Sequence, residues 1–442
     1  MPENDSSMKI KYITNLLLAF LLVGSVSCIQ TKDLESRLKE LPCVALEKIQ
    51  GDTTFAAYYE MWFTQPIDHE NPGLGTFKQR VLLGHHALDR PMLVEIQGYN
   101  IWTEKAGELS KLLDANQLTI EHRYFNNSRP DSLDWKYLNI KQAAADQHAV
   151  IQALKTIYKN KWISTGISKG GQTTIYHRYF YPNDVDVSIA YVAPLNLERE
   201  DKRIHEHLAK VGSEESRIKV KDFQVACFEN RKELLPLLKE HAEKNKYQFP
   251  MGFEKALDLN ILEYSFAFWQ WGNTNCDEIP DSNAGANDLF SHLIKTSPFN
   301  FFDSAGIIQQ QPFFYQALTE IGMYSYEVAP FKKYVNYDKD LTFDFTLPEG
   351  VDGTFNQKSM LAVNKWLQTD ADKILFIYGE YDTWSATQVH LKDNLKCRKF
   401  IRPEGSHGTR IRNFSPEKQA KIVQTLEAWL EIEINEESLL QK

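Results

Sequence analysis

The sequence predicts an α/β fold with a mostly parallel sheet and a large inserted helical lid. Short apolar β-type segments alternate with helical segments up to about residue 195, a pattern typical of a parallel sheet covered on both faces. Residues 196–366 instead contain long helical stretches and aromatic clusters such as Phe266–Trp271, which we interpret as the core of a lid domain. Strand-like segments resume at Lys373, so residues 367–442 are expected to complete the sheet.

The first part of the core, residues 29–195, is expected to begin with a short helix and a tether at 29–50. The strand-like runs Tyr58–Phe63 and Phe77–Leu83 flank a turn-rich stretch, which predicts a hairpin. Apolar residues recur with a period of 3.6 from Asn139 to Tyr158, which predicts a helix. Further strands are predicted at Met92–Gln97, Leu118–Glu121 and Val187–Val192.

A nucleophile elbow is indicated at Thr165–Gly171, which contains the pattern Gly-x-Ser-x-Gly around Ser168. The β-type run Trp162–Thr165 precedes it, and a segment that can continue as a helix follows it. This is the strand–turn–helix context that the motif requires. The turn is so tight that the neighbours of the nucleophile can hardly carry side chains, which explains the surrounding glycines. The pattern alone is weak, because glycine and serine are common in loops.

Two downstream segments supply the groups that would activate Ser168. A buried-type strand beginning at Lys373 ends in a turn that carries Asp382, and a shorter strand beginning at Lys399 ends near the glycine-flanked His407. The imidazole would take the proton of the serine, and the carboxylate would hold the imidazole in one tautomer. The chain order Ser, Asp, His is that of the α/β-hydrolases, and each residue follows a strand. We therefore predict an α/β-hydrolase fold with these three residues as a catalytic triad.

The residue after the nucleophile, Lys169, has two interpretations. A Ser-Lys pair can act as a catalytic dyad, but adjacent residues on an elbow point in different directions, and an Asp–His pair is available. We favour a role for the backbone N–H of Lys169 as one oxyanion donor. The second donor is expected from Gly98 and Tyr99, in the loop after a predicted strand.

Composition excludes several classes of function. The chain of 442 residues is 43% hydrophobic and 25% charged, which is sufficient for a sizeable globular core. Its net charge of −9, with no block of basic residues, argues against nucleic acid as a partner. No Cys-x-x-Cys or His-x-x-x-His spacing occurs, so neither a metal nor another cofactor is expected. No internal run of about 18 apolar residues predicts a transmembrane helix.

The N-terminal residues 1–28 predict a secretory signal peptide. A basic start at Met8–Tyr12 is followed by the apolar run Leu16–Val23 and by small residues leading to Cys28. This ending resembles a bacterial lipobox, whose cysteine is lipidated, although cleavage near Ser27 with an incidental Cys28 stays open. We expect an exported protein in the periplasm or at the cell surface, which contacts the membrane only through this lipid anchor.

Four cysteines follow Cys28, namely Cys43, Cys227, Cys276 and Cys397. An even number in an exported protein permits two disulfides in three possible connectivities. Cys227 and Cys276 share the middle region of the chain and form the favoured pair.

Several motifs that span most of the chain are specific in combination. They are the elbow and the segments Phe63–His69, Thr76–Arg80, Glu121–Phe125, Gln142–Asp146, Tyr315–Gly322, Gly379–Ala386 and Gly405–Gly408. With these motifs the chain resembles the secreted bacterial tripeptidyl aminopeptidases, also called the PS-ten peptidases. It is more distantly similar to the lysosomal prolyl carboxypeptidase and dipeptidyl peptidase II family.

The resemblance implies an α/β-hydrolase core with a helical lid. It also implies an exported serine peptidase that releases tripeptides or dipeptides, possibly after proline, from polypeptide N-termini. The sequence departs from the lysosomal relatives at Lys169, where they carry an aromatic or similar residue. It departs again at Gln97–Asn100, where they have a Gly-Glu-Gly-Pro-like loop. These departures leave the triad intact and affect the expected substrate preference.

An aminopeptidase must also bind the free ammonium of its substrate, which requires a carboxylate near the lid. Glu320 is the first candidate and Glu121 the second, because both lie in the family-like motifs. Glu198 and Glu200 lie where the chain enters the lid and are further candidates. For each of these glutamates a purely structural role stays open.

Two alternative functions stay open. The same fold supports carboxylesterases, lipases and prolyl carboxypeptidase-like hydrolases, because a fold does not determine its chemistry. A surface lipoprotein that binds peptides without cleaving them is the second alternative, although such a protein would not need an intact triad.

Overall fold

The computed structural model describes residues 34–41, 44–272 and 275–434, so the predicted signal peptide, Cys28 and Cys43 lie outside the described residues. Within these ranges, nine strands form one sheet in the order β1-β2-β3-β5-β4-β6-β7-β8-β9. The strands are β1 (Val44–Ile49), β2 (Ala57–Pro66), β3 (Thr76–His85), β4 (Met92–Ile96), β5 (Asn116–Ile120), β6 (Trp162–Ile167), β7 (Val187–Tyr191), β8 (Ile374–Gly379) and β9 (Arg398–Arg402).

The sheet is antiparallel at one edge and parallel in its centre. β1 to β3 and the β3–β5 pair are antiparallel, whereas β5, β4, β6, β7, β8 and β9 run parallel. The β2–β3 pair confirms the predicted hairpin. The expectation of a short helix and a tether at 29–50 agrees with the helical segment at 34–39 but was wrong for residues 44–49, which form the edge strand β1. This strand pairs with β2 and satisfies backbone groups that would otherwise form an open sheet edge.

Helices cover both faces of the sheet. One face packs against α2 (Ile140–Lys155) and α3 (Lys169–Phe180), and the other packs against α1 (Glu108–Leu112) and α11 (Pro416–Leu430). The predicted helix at 139–158 is confirmed as α2, and its end residues differ by only a few positions. The helices are α1 (Glu108–Leu112), α2 (Ile140–Lys155), α3 (Lys169–Phe180), α4 (Arg203–Leu208), α5 (Glu214–Glu229), α6 (Arg231–Asn245), α7 (Phe253–Trp271), α8 (Ala286–Thr296), α9 (Ser304–Gln316), α10 (Lys358–Thr369) and α11 (Pro416–Leu430). A further helical segment covers residues 34–39.

The chain between β7 and β8 forms the helical insertion, which contains α4 to α10. Its aromatic side chains share one hydrophobic cluster with strand β8, so the insertion packs directly on the core. The last of these helices, α10, spans the predicted boundary at residue 366. Its Trp366 ring lies 5.5 Å from the ring of Tyr179 on α3, which shows that α10 packs against a core helix.

Cys227, Cys276 and Cys397 are free thiols, so the favoured disulfide between the first two was wrong. Cys227 lies on the buried face of α5 in the lid core, whereas Cys276 lies in a partly exposed turn after α7. Burial raises the pKa of the Cys227 thiol and raises the pKa of the Cys397 thiol to about 11. Both therefore behave as small apolar side chains and not as reactive thiolates.

A carboxyl group is buried in the lid core at Glu263 of α7, which is 7% exposed. Its Oε2 accepts a hydrogen bond of 2.7 Å from the hydroxyl of Tyr324. The Tyr324 ring stacks on Phe266 with 3.8 Å between ring centroids, which fixes the position of this donor. Burial is the main cause that raises the pKa of Glu263 to about 7, because a charged carboxylate is poorly solvated there.

We predict that Glu263 makes the stability of the lid depend on pH. The folded protein holds this proton up to about pH 7, whereas an unfolded chain releases it near the ordinary value of 4.5. Its contribution is therefore fully present below pH 4.5 and is lost as the pH rises to about 7, a change on the order of 3 kcal/mol. Glu263→Gln should flatten this part of the pH profile of thermal unfolding. Glu254→Gln, at an exposed position of the same helix, is the control and should leave the profile unchanged.

Candidate active site

Ser168 occupies a strained turn between β6 and α3, with φ 58° and ψ −123°. Its N–H donates to the carbonyl oxygen of Tyr191 at the end of β7 (2.9 Å). A Cβ atom on Gly166 would lie 2.2 Å from the carbonyl oxygen of Gly170, and one on Gly170 would lie 2.7 Å from that of Ile96. The elbow therefore forms only with glycine at both positions, as the sequence motif predicted.

Asp382 and His407 form a buried pair. His407 Nδ1 lies 2.9 Å from Asp382 Oδ2, and the aspartate is fully buried. Two further bonds orient the carboxylate, because Oδ1 accepts from the N–H of Trp384 (3.2 Å) and Oδ2 accepts from the hydroxyl of Ser385 (3.3 Å). A carboxylate at Nδ1 favours the tautomer whose Nε2 is free to accept a proton.

The sheet topology brings Ser168, Asp382 and His407 to the same edge. They follow the carboxyl ends of β6, β8 and β9, respectively, and these strands run parallel. Among the described residues, the Ser168 hydroxyl forms no hydrogen bond with His407. Such contacts are commonly long or poorly aligned before a substrate binds, so the arrangement is compatible with a catalytic triad.

The last turn of lid helix α7 packs on this pair, a contact that the sequence did not predict. The carbonyl oxygen of Gln270 accepts a hydrogen bond of 2.7 Å from the N–H of His407. The ring of Trp271 meets the His407 ring edge-on with 5.6 Å between centroids, and Thr383 Oγ1 donates to the Phe266 carbonyl oxygen (2.9 Å). The sequence predicted that the aromatic cluster Phe266–Trp271 forms part of the lid core. Trp271 is instead half exposed and lies beside His407.

The predicted oxyanion donors lie against the elbow. A Cβ atom on Gly98 would lie 2.5 Å from the backbone nitrogen of Gly170, so the loop after β4 contacts the start of α3 through backbone atoms. In the part of the chain that the structure describes, the N–H groups of Tyr99 and Lys169 have no hydrogen-bond acceptor. Both donors are therefore available for a developing oxyanion.

The side chain of Lys169 is buried in the protein, where a backbone carbonyl group holds its amine. Its Nζ donates a 2.6 Å hydrogen bond to the carbonyl oxygen of Gly98. Burial lowers the pKa of this amine well below its usual value. This contact, which the sequence did not reveal, disfavours a Ser-Lys dyad.

The two favoured glutamates make different contacts. Glu320 Oε2 accepts a 2.9 Å hydrogen bond from the N–H of Ile140 at the first turn of α2, and burial raises the pKa of this carboxyl. The Glu121 side chain is fully buried. It accepts hydrogen bonds from the hydroxyl of Ser128 (2.7 Å) and the N–H of Ile101 (3.0 Å). Glu320 therefore stabilises a helix start, whereas Glu121 follows directly after β5 at the carboxyl edge of the sheet.

The other two candidate glutamates lie where the chain enters the lid. Glu198 is exposed, and Glu200 forms an ion pair of 2.5 Å with Arg199. Burial is the main cause that raises the pKa of Glu200. Neither residue lines the pocket described next.

A pocket of about 550 Å³ lies between the β2–β3 hairpin, the segment 124–135 and lid helix α9. Its walls combine aromatic, acidic and basic side chains, including Trp62, Trp135, Glu60, Glu121, Arg80 and Arg129. The pocket adjoins the carboxyl end of β5, two strands away from β6. Neighbouring strands are about 4.8 Å apart, so these two strand ends are separated by roughly 10 Å.

Among the described residues, no group of three or more His, Cys, Asp or Glu side chains could hold a metal ion. In the same residues, no helix has the length and apolar character needed to cross a membrane.

Comparisons with known proteins identify relatives along almost the whole chain. The profile of a family described as PS-10 peptidase S37 matches residues 28–436. The chain is 31% identical over 438 residues to a prolyl tri/tetrapeptidyl aminopeptidase from Streptomyces mobaraensis, covering 95% of this chain and 92% of the relative. It is 22% identical over 455 positions to a probable serine protease, EDA2, from Arabidopsis thaliana, with 90% of each covered.

Among solved structures, the chain is similar to a proline iminopeptidase from Mycobacterium smegmatis. The two are 14% identical with a TM-score of 0.41, over 84% of this chain and 98% of that one. An α/β hydrolase from Novosphingobium aromaticivorans gives 13% identity and a TM-score of 0.39, with 84% and 98% covered.

We predict that the end of α7 sets the position of His407. Gly272 has φ +59°, and a Cβ atom there would lie 2.9 Å from Cβ of Ser406, the neighbour of His407. Gly272→Ala should lower kcat ten- to hundred-fold, because small displacements of catalytic groups have effects of this size. Gly350→Ala is the matched control, since Gly350 has φ +72° but no atom within 4 Å of the added Cβ. Each substitution should destabilise the fold by about 1–2 kcal/mol. Equal kcat values for the two variants would contradict the prediction.

Proposed function

Because this chain belongs to the PS-10 peptidase S37 family, we propose that it is an exopeptidase that releases short peptides from polypeptide N-termini. The chain is a serine peptidase with an α/β-hydrolase fold. One observation carries the assignment of its catalytic groups: the buried Asp382–His407 pair lies at the same sheet edge as the strained elbow of Ser168.

The proposed reaction proceeds through an acyl-enzyme. Ser168 Oγ attacks the scissile carbonyl carbon while His407 Nε2 takes the hydroxyl proton, and Asp382 stabilises the resulting imidazolium. The N–H groups of Tyr99 and Lys169 donate to the oxyanion of the tetrahedral intermediate. His407 then protonates the leaving amine, which departs as the shortened polypeptide. Water, activated by the same histidine, hydrolyses the ester and releases the short peptide.

The position of the 550 Å³ pocket supports release of about three residues. An extended tripeptide spans roughly 10 Å, which matches the separation between the ends of β5 and β6. The lid covers this region through α9 and favours chain ends over folded proteins. The name of the Streptomyces relative, a prolyl tri/tetrapeptidyl aminopeptidase, supports the same peptide length and a preference for proline before the scissile bond.

Position favours Glu121 over Glu320 as the group that binds the α-ammonium of the substrate, because Glu121 lines the pocket and Glu320 does not. Both carboxylates already accept a backbone hydrogen bond, Glu320 from Ile140 and Glu121 from Ile101. The third contact of Glu121 is a long hydrogen bond of 3.4 Å from Asn126 Nδ2, which an entering ammonium can replace. A charge-assisted bond of this kind is about twice as strong as a neutral one.

Paired substrates test the proposal. We expect the purified mature protein to cleave fluorogenic tripeptides with a free N-terminus and to ignore their N-acetylated forms. Glu121→Gln should raise KM for the free tripeptide at least tenfold, because it removes a charge-assisted contact. Glu320→Gln should lower thermal stability and should raise KM less than Glu121→Gln does. Ser168→Ala is the negative control and should lose a factor on the order of 10⁴ to 10⁶ in turnover.

Each contrary outcome identifies a different function. Equal rates on free and acetylated tripeptides would refute the aminopeptidase proposal and favour a prolyl carboxypeptidase-like activity. Faster turnover of short-chain esters than of any peptide would favour a carboxylesterase or lipase. Peptide binding that is unaffected by Ser168→Ala, without turnover by the unsubstituted protein, would favour the peptide-binding lipoprotein.

The proposal includes export and a lipid anchor at Cys28, which the character of residues 8–28 supports. We expect the protein in the membrane fraction and Cys28→Ser in the soluble fraction. The anchor is effective because each buried methylene of an acyl chain contributes about 0.8 kcal/mol to membrane binding. A fully soluble protein whose N-terminus follows a conventional cleavage site would exclude the anchor.

A further inference from the structure

The amine of Lys169 is buried beneath the loop that follows β4. Only 3% of the residue is exposed, and its Nζ donates a 2.6 Å hydrogen bond to the carbonyl oxygen of Gly98. The rings of Tyr99 and Phe125 flank the amine, with their centroids 5.6 and 5.5 Å from Nζ. Burial of an amine is unfavourable unless a specific contact compensates for the loss of solvation. The carbonyl oxygen of Gly98 provides that contact.

This hydrogen bond determines the direction of one peptide group. The carbonyl of Gly98 and the N–H of Tyr99 belong to the same peptide unit. No cis peptide bond occurs in the described residues, and in a planar trans unit the C=O and N–H point in opposite directions. Because Lys169 Nζ holds the oxygen on its own side, the N–H of Tyr99 is directed to the opposite side.

Without the amine, this peptide group would be weakly constrained. Position 98 requires glycine, because a Cβ atom would lie 2.5 Å from the backbone nitrogen of Gly170. Glycine also permits backbone conformations that other residues avoid, so it allows the peptide to rotate. The bond from the N–H of His122 to the Tyr99 carbonyl oxygen (3.0 Å) restrains the following peptide instead. If the 98–99 peptide rotated, the carbonyl oxygen of Gly98 would point to the side toward which the N–H of Tyr99 now points.

We propose that Lys169 is a positioning residue whose amine fixes the 98–99 peptide, so that the N–H of Tyr99 serves the oxyanion together with the N–H of Lys169 itself. The inference rests on the proposed function only in assuming acyl transfer at Ser168. It requires a hydrogen-bond donor at Nζ, which both the charged and the neutral amine provide. One residue thus contributes one oxyanion donor directly and orients the other.

The decisive experiment compares Lys169→Met with the unsubstituted full-length mature protein. Methionine has a similar length and no donor. We expect the rate of Ser168 labelling by a fluorophosphonate and kcat to fall about 10²- to 10³-fold, the usual effect of losing one oxyanion donor. The inhibition constant of a peptide boronate, which mimics the tetrahedral intermediate, should rise by a similar factor. KM should stay within threefold. The rise in the inhibition constant distinguishes this effect from a loss of structure, because an unfolded fraction would lower the apparent kcat but would change neither KM nor the inhibition constant.

A matched control comes from the same helix. Thr174→Val removes a buried hydroxyl that donates to the carbonyl oxygen of Gly170 (3.0 Å), one turn from Lys169. It should stay within threefold of the unsubstituted protein in labelling and in kcat. Labelling does not depend on peptide specificity. An unsubstituted protein that is labelled but cleaves no peptide would therefore refute the proposed function without affecting this inference.

Chemical rescue provides the second variant. Lys169→Ala deletes the atoms Cγ to Nζ, which correspond to n-propylamine, and a small cavity lined by His122 and Tyr176 adjoins the site. We expect n-propylamine to increase labelling of this variant at least tenfold. This test does not depend on whether Lys169→Met folds. Labelling of folded Lys169→Met within threefold of the unsubstituted rate, or no rescue of Lys169→Ala, would overturn the inference.

Discussion

The active site depends on a contact between backbones that leaves no space for side chains. At the carboxyl end of β6, the elbow approaches the end of β4 so closely that Gly98, Gly166 and Gly170 could not carry even a methyl group. This approach allows Ser168 to project from a strained turn and brings the donors of two loops to one place. Glycine restrains the backbone less than other residues do, so neighbouring side chains must help to fix the conformation of these loops.

A buried ion pair connects two of the family motifs. Arg123 is fully buried and binds both carboxylate oxygens of Asp146 at 2.6 and 2.8 Å. It also donates to two carbonyl oxygens. One belongs to Ile67 in the turn of the β2–β3 hairpin, and the other belongs to Tyr137 just before α2. These residue types can suggest chemistry, but here they join the turn of the β2–β3 hairpin to the segment before α2. Removal of either partner would leave a buried charge without compensation, which is strongly destabilising.

Local patterns were sufficient to predict the fold and to place the three residues of the candidate triad at one edge of the sheet. Each of Ser168, Asp382 and His407 follows a strand with its own apolar signal, and the rule for parallel sheets brings such positions to one edge. The contacts of Lys169 with Gly98 and of Gln270 with His407 depend on side-chain direction and on packing between distant segments, which no local pattern encodes. Strand β1 was missed for a related reason, since its position is determined by pairing with β2 and not by alternation in its own residues.

The attachment of α7 to the histidine loop has an evolutionary consequence. An insertion between two strands is a natural place to alter specificity, because connecting segments tolerate insertions and deletions. In this protein the carbonyl oxygen of Gln270 and the ring of Trp271 support His407 directly. A graft that replaced the whole insertion would remove these contacts with His407 along with the α9 wall of the pocket. Diversification within such a lineage should therefore proceed through α9 and the loops around it, while the last turn of α7 changes slowly.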